Sequence, residues 1–375
     1  MTRFYFALSA LVCFFTGSAL ATEKNAPIQH FQGTIGKDLK VSLTLWTNQT
    51  EEGEQLRGSY HYQKSGIPIS LDIGKDPKNE DQLIFIESTG WSMDGDQQVT
   101  GRWTVVWKSS TITGTWKTPD GKKSLPVNLE LSQPEGSVSL DQIHLTYEVK
   151  ETDQVAPRGY QRELTLLTAP ENEALSRKLL ELACESYKDD ENRVPANFNE
   201  LKQAMRASTH EEIDAEATYV DTYSEHFSVR MNESGFLTLE NSNYGYSGGA
   251  HGHYGSQFAV LDTATMTVLK LTDIVSPEKI ASWKSLAISA LKKSRAVPQD
   301  APLSETGVTV EDYTPTPEDS WFLVPGGIGF YYEPYAIGSY AAGEYEFILP
   351  WKEIVRDLKP GTAVHKLAQK MTGGS

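Results

Sequence analysis

Gly101-Arg102-Trp103-Thr104-Val105-Val106-Trp107-Lys108, Thr111-Ile112-Thr113-Gly114-Thr115-Trp116-Lys117 and the turn Thr118-Pro119-Asp120-Gly121-Lys122 decide the fold of the first half of this chain. Trp103, Val105 and Trp107 recur at every second position, and Ile112 to Trp116 repeats the spacing, so each run presents one apolar face and reads as a strand. In the turn, Pro119 presets the first backbone angle and Gly121 tolerates a positive one. Working outward, Val127, Leu129 and Leu131 follow, Leu83 to Ile86 precede, and Val41, Leu43, Leu45 and Ile67, Ile69, Leu71, Ile73 lie upstream. No helical spacing interrupts residues 31–131. This half is expected to be all-β, an antiparallel meander closing into a small barrel or a sandwich.

Five of the eight Trp fall in this half, at positions 46, 91, 103, 107 and 116, in local patterns such as Gly90-Trp91, Gly101-Arg102-Trp103 and Gly114-Thr115-Trp116. Two readings stand. The rings could form a sugar-stacking face, or they could fill a narrow β core in which glycine makes room for an inward aromatic.

Near residue 135 the pattern changes, and Pro134-Glu135-Gly136-Ser137 reads as a linker. Pro170, Glu171 and Glu173 open a helix whose apolar face carries Leu175, Leu179, Leu182 and Ala183, with Cys184 as a buried structural thiol rather than a nucleophile. Ser276-Pro277-Glu278 opens another, with Ile280, Trp283, Ala287 and Leu291 as its stripe and Lys292, Lys293 and Arg295 at its end. Strands are expected over 142–149, 159–167, 216–231, 235–244, 255–262, 266–271, 320–333 and 343–349. Helices and strands segregate, so the second half reads as an α+β domain with an antiparallel sheet. The expected division is 1–21 signal peptide, 22–135 all-β domain, 140–357 α+β domain and 358–375 C-terminal tail.

The chain of 375 residues carries 34 Lys+Arg against 50 Asp+Glu, a net charge of −16, which argues against a nucleic-acid partner. Arg3, the apolar run Phe4 to Phe15 and the small-residue stretch ending Ala19-Leu20-Ala21 form the layout of a secretory signal. The run is short for a membrane span and no later segment is long and apolar enough to be one. The protein is expected to be exported, periplasmic or secreted, with no integral membrane segment after cleavage. Cleavage removes Cys13 and leaves Cys184 as the one thiol, so no internal disulfide is expected.

Three patterns bear on chemistry. Gly245-Tyr246-Ser247-Gly248-Gly249 has the form of a serine-hydrolase nucleophile elbow, but Ala250-His251-Gly252-His253-Tyr254-Gly255 is too glycine-rich to begin the helix that must follow. His251 and His253 would share one side of an extended strand, with Glu225-His226 or Asp262 as the nearest further ligands; a structural or partner-contacting loop is the competing reading. Tyr331, Tyr332, Tyr335 and Tyr340 with Pro334 read equally as a rigid aromatic contact surface or as cover for the core. No cofactor, metal or catalytic residue is expected, and the protein is read as non-enzymatic.

Tyr246-Ser247-Gly248-Gly249-Ala250-His251-Gly252, followed by Leu261-Asp262 to Ile274, and later Trp321 to Phe330 with Tyr331 to Gly343, resemble the two signatures of the RsiV-like extracellular domain, over about residues 140–357. In that family the domain is the outer part of a lysozyme-sensing anti-sigma factor and binds the muramidase directly; a similar domain precedes some peptidoglycan deacetylases. No sigma-binding segment or deacetylase module is read in this sequence, so those activities are not carried over. The resemblance implies a cell-envelope protein that binds, and inhibits, a lysozyme-like muramidase or wall-active toxin. Pro334, Tyr335, Tyr340, His251 and Tyr246 are the expected partner-binding residues. The alternative is a peptidoglycan- or polysaccharide-binding module using the Trp-rich first half.

Overall fold

The computed structural model describes residues 22–50, 53–91, 97–151, 158–187, 193–207 and 219–373. The signal-peptide reading of residues 1–21 lies outside them. Among the described residues, no helix is long and apolar enough to cross a membrane.

The first strand, β1 (Thr22–Pro27), does not join its sequence neighbours. The next eight do: β2 (Gln29–Ile35), β3 (Leu39–Thr50), β4 (Gly53–Tyr62), β5 (Ile69–Asp76), β6 (Asn79–Trp91), β7 (Gln97–Lys108), β8 (Thr111–Lys117) and β9 (Ser124–Leu131) form an antiparallel meander. β2 pairs with β9, Phe31 opposite Leu131, so the meander is a closed barrel and not a sandwich. Phe31, Leu43, Phe85, Trp103, Ile112 and Leu129 fill it.

The tryptophans settle largely as core. Trp103 and Trp116 are buried, and both indole N–H groups donate to Oε2 of Glu87, at 3.0 and 2.9 Å. Tyr60 donates to the same oxygen at 2.6 Å and Thr100 to Oε1 at 3.0 Å, so a buried carboxylate is held by four neutral donors. Trp107 meets Phe31 edge-on, and Trp46 packs against the core of the second unit. A sugar-stacking surface built on Trp103 and Trp116 is therefore ruled out, because their rings face the barrel interior; the Trp91 side chain lies outside the description.

The second unit is built on a seven-stranded sheet of order β1, β10 (Asp141–Glu151), β11 (Arg158–Thr168), β12 (Val220–Glu233), β13 (Phe236–Tyr246), β14 (His253–Asp262) and β15 (Thr267–Val268). β1 pairs with β10, so residues 22–27 belong to this sheet although they precede the barrel in sequence. The sheet is mixed, not purely antiparallel: β11 and β12 run parallel, because the crossover between them carries two helices. These are α1 (Glu173–Ala183), N-capped by Asn172, whose side chain accepts from Leu175 N at 3.0 Å, and α2 (Phe198–Ala207). They cover one face of the sheet through Leu175, Leu179, Leu201 and Met205. Cys184 is buried in this layer, and burial pushes its thiol up to about 11, the behaviour of a structural cysteine.

The chain continues through α3 (Leu271–Ile274), α4 (Pro277–Ser282) and α5 (Lys284–Ser294). The expected strand over 266–271 is cut short because Asp273 turns back to accept from Lys270 N at 2.7 Å and starts α3. Ile280, Trp283, Ala287 and Leu291 are all buried as their spacing predicts, but the helix is two pieces hinged at Trp283. The expected strand 320–333 is a hairpin, β16 (Ser320–Val324) and β17 (Gly327–Tyr332), which with β18 (Tyr345–Pro350) makes a three-stranded sheet. This sheet packs on the strand layer through Phe258 and Phe322, stacked at 4.7 Å, and its remaining apolar side chains meet α4 and α5. After α6 (Trp351–Ile354), the expected tail forms α7 (Ala363–Thr372), capped by Thr362, with Val364, Leu367 and Ala368 in the same core.

The two units meet at a tight joint. Gly326 N donates to Gly66 O at 2.9 Å, and a β-carbon on Gly66 would lie 2.3 Å from Gly326 N. Buried His30 accepts from Asn232 Nδ2 at 3.3 Å, and His61 faces Glu233 at 3.6 Å.

Candidate functional site

β13 ends at Tyr246, and the chain must reverse before β14 begins at His253. Gly248 and Gly249 do this with φ of +91° and +94°, a region closed to most side chains. Tyr246 stitches the reversal: its hydroxyl donates to Gly249 O at 3.2 Å and its ring meets Tyr219 edge-on at 5.8 Å. Ser247 is exposed and no helix follows it, so the elbow geometry that activates a serine nucleophile is missing here.

The two histidines part company. His253, in register with Gly245 across the strands, lies over that glycine: a β-carbon there would sit 2.6 Å from its imidazole. His251 is exposed and stacks flat on Tyr340, ring centroids 3.7 Å apart at 20°. Its Nδ1–H donates to Gly252 O at 2.8 Å. The further ligands considered for a metal are engaged elsewhere: Glu225 accepts from Asn241 at 3.1 Å, and Asp262 caps a turn by accepting from Ala264 N and Thr265 N at 3.0 Å. Burial lowers His226 to about 4, with neighbouring His144 adding to the effect.

The long connection from β17 to β18 supplies the other half of the site. Pro334 is buried, so it directs the backbone and offers no contact surface. Tyr335 follows at φ +73° and is 67 % exposed, an aromatic side chain held in left-handed backbone and projected into solvent. Tyr340 is half-buried; its ring lies 5.6 Å from Tyr335 and 5.8 Å from Tyr254, and its hydroxyl donates to Gly252 O at 2.7 Å. One carbonyl, Gly252 O, thus receives both the His251 imidazole and the Tyr340 phenol and ties the two loops together. Tyr244, 45 % exposed and paired with Tyr254 across the strands, extends the aromatic surface.

The expected aromatic set is split. Tyr331 and Tyr332 are buried: the first donates to Glu344 at 3.0 Å, the second to Asp319 at 2.6 Å. Half-buried Arg230 pairs with Glu346 and with Glu240 at 3.4 Å, and burial raises the Glu344 and Glu346 carboxyls. Arg295, read from sequence as the basic end of a helix, is instead a clamp on this loop. It donates to Ala342 O at 2.8 Å and Glu344 O at 2.6 Å and lies 4.2 Å from the Tyr345 ring. Nothing in its sequence surroundings marks that role.

Residues 272–352 match a family described as "Protein of unknown function (DUF3298)". The match takes in the loop of Tyr335 and Tyr340 and stops short of His251. No curated protein matches the chain. Among solved structures, a DUF3298 family member from Bacteroides fragilis NCTC 9343 is similar at a TM-score of 0.53 and 20 % identity, over 64 % of this chain and 100 % of that one. A DUF3298 family protein from Pseudomonas aeruginosa PAO1 is similar at a TM-score of 0.44 and 22 % identity, over 58 % and 94 %. The first likeness spans more of the chain than the family match, and at this identity it speaks to the fold alone.

Proposed function

We propose that this is an exported, non-enzymatic envelope protein whose second unit binds a protein partner, a lysozyme-like muramidase or wall-active toxin, and blocks it sterically. One observation carries the reading: Tyr335 stands exposed in strained backbone on a frame stacked from Tyr340 and His251. Strain of this kind costs about 1–3 kcal/mol and persists where function repays it. A pre-ordered tyrosine surface is the composition of interface hot spots, since the rings bring large area with little entropy to lose. The net charge of −16 favours encounter with a cationic muramidase. The resemblance to the RsiV-like domain points to the same partner class.

The test is calorimetric titration of residues 22–375 with a c-type lysozyme, with muramidase activity followed in parallel. Binding with loss of activity, abolished by Tyr335→Ala, is the expected result. Tyr335 touches little of the core, so this variant should fold as the parent does. Undiminished binding by Tyr335→Ala would remove the loop from the interface, and no binding at all would remove the partner class.

A further inference from the structure

A second site lies at the other side of the 247–252 loop. Arg162, Tyr223, Gly245 and His253 run in register across β11, β12, β13 and β14. Residues opposite one another project to the same face, so three side chains surround a position that has none. Among the described residues, Tyr187, just after α1, is the last side chain of the helical layer to border this end of the face, and with it the sheet residues line a pocket of about 280 Å³. Gly245 is its floor, Arg162 and Tyr223 stand on one side, and His253 leans in from the other.

We propose that this pocket takes a single uncharged saccharide ring. Arg162 is locked by Asp221: the carboxylate lies 2.6 Å from Nη1, and the same nitrogen donates to the carbonyls of Asp221 and Gln161 at 3.1 Å. The pair presents donors and acceptors in fixed planes at no net charge, the arrangement that meets neighbouring hydroxyls two at a time. Burial and the field of Glu225 push Tyr223 up to about 12 and raise Tyr187 as well, so both phenols stay neutral. Their rings offer the apolar faces that a pyranose covers. The same field of Glu225 opposes an anion. A purely apolar guest would bury the ion pair without replacing its water. The volume, at the low end for ligand sites, suits one ring rather than a chain.

The experiment is a titration of the isotope-labelled chain, residues 22–375, with N-acetylglucosamine and with glucose, using sodium acetate as the anion control and following amide shifts. Saturable shifts at Tyr223, Gly245 and His253 with millimolar affinity are expected from a sugar and not from acetate. Gly245→Val fills the floor and should weaken binding about tenfold or more; His253→Ala, a change at an exposed side chain, should weaken it about threefold with melting unchanged. If Gly245→Val fails to fold, His253→Ala decides. Absence of saturation with both sugars, preference for acetate, or sugar binding untouched by the folded variants overturns the proposal. None of these outcomes bears on the Tyr335 surface, which is tested separately.

Discussion

Replacing Glu87 should unfold the barrel from the inside, and the size of the effect follows from its donors. Oε2 accepts from Tyr60, Trp103 and Trp116 at 2.6, 3.0 and 2.9 Å, and Oε1 from Thr100 at 3.0 Å. Glu87→Leu keeps the bulk and orphans three donors that sit at most 8 % exposed. Each orphan costs about 1–3 kcal/mol, whereas Thr100, nearer the surface, can turn to water. Part of that cost, roughly 3–9 kcal/mol in all, is offset because a leucine needs no desolvation of charge. A net loss of about 3 kcal/mol is expected. Glu87→Gln retains one acceptor oxygen, and its amide N–H can donate to the Thr100 hydroxyl; exchanging charge-assisted for neutral bonds should cost about 1 kcal/mol. Urea unfolding read by tryptophan fluorescence suits the question, since two of the indoles are the donors. With a slope near 1 kcal/mol per M for a unit of this size, the leucine variant's midpoint should fall by about 3 M. A leucine variant within 1 kcal/mol of the parent, or no more affected than the glutamine variant, would refute the view that the carboxylate pins the barrel.

Three further outcomes are expected. Burial holds His30 and His226 near 4, below the ordinary 6.5, so the unfolded chain takes up nearly two more protons; stability present above pH 6.5 is lost as pH falls toward 4, by about 2 kcal/mol per unit between pH 6 and 5. At the joint, burial lowers His61 and raises Glu233, so their contributions oppose each other, and the raised Glu344 and Glu346 carboxyls offset part of the remaining slope; His226→Gln should therefore make the stability change from pH 6.5 to 5 less unfavourable than in the parent, and an unchanged pH dependence would contradict the burial argument. Gly326→Ala would place a β-carbon 2.1 Å from Ser65 O, and it should part the two units: calorimetry should show two transitions where the parent shows one, and a single unchanged transition would count against the joint. Tyr335→Gly should raise stability by about 1 kcal/mol, by relieving left-handed strain, while abolishing muramidase binding; a loss of stability would mean that the loop conformation is not strained.

What the sequence makes legible is whatever repeats locally. Alternation over residues 101–131 carries the barrel strands, because a one-sided core demands period two, yet closure depends on Phe31 meeting Leu131, a pairing one hundred residues apart with no local mark. Residues 320–333 read as one strand because β17 is buried on both faces and shows no alternation; the break falls at Pro325-Gly326, where Gly326 N donates to Gly66 O of the first unit at 2.9 Å. α2 escapes notice because only Leu201 and Met205 of its ten residues are buried. Glu87 looks like an ordinary strand acid after Ile86, and only its position inside the closed barrel gives it four donors.

The aromatic surface shows the same limit from the other direction. His251 and Tyr340 are both visible as unusual residues in glycine-rich loops, but neither alone predicts a stack. It arises because each loop delivers a polar hydrogen to one oxygen, Gly252 O, and a carbonyl has two lone pairs to receive them. Gly252 itself admits no side chain: a β-carbon would lie 2.6 Å from the Tyr244 hydroxyl and 2.7 Å from Gly245 O. The loops therefore cannot move apart one at a time. Shifting the 247–252 reversal would cost the Tyr340 bond, and shifting the 333–343 connection would also work against the Arg295 clamp at Ala342 and Glu344. Tyr335 stands on two loops braced against each other, which is how an exposed ring in strained backbone keeps one orientation, and a ring already oriented loses little entropy when a partner covers it.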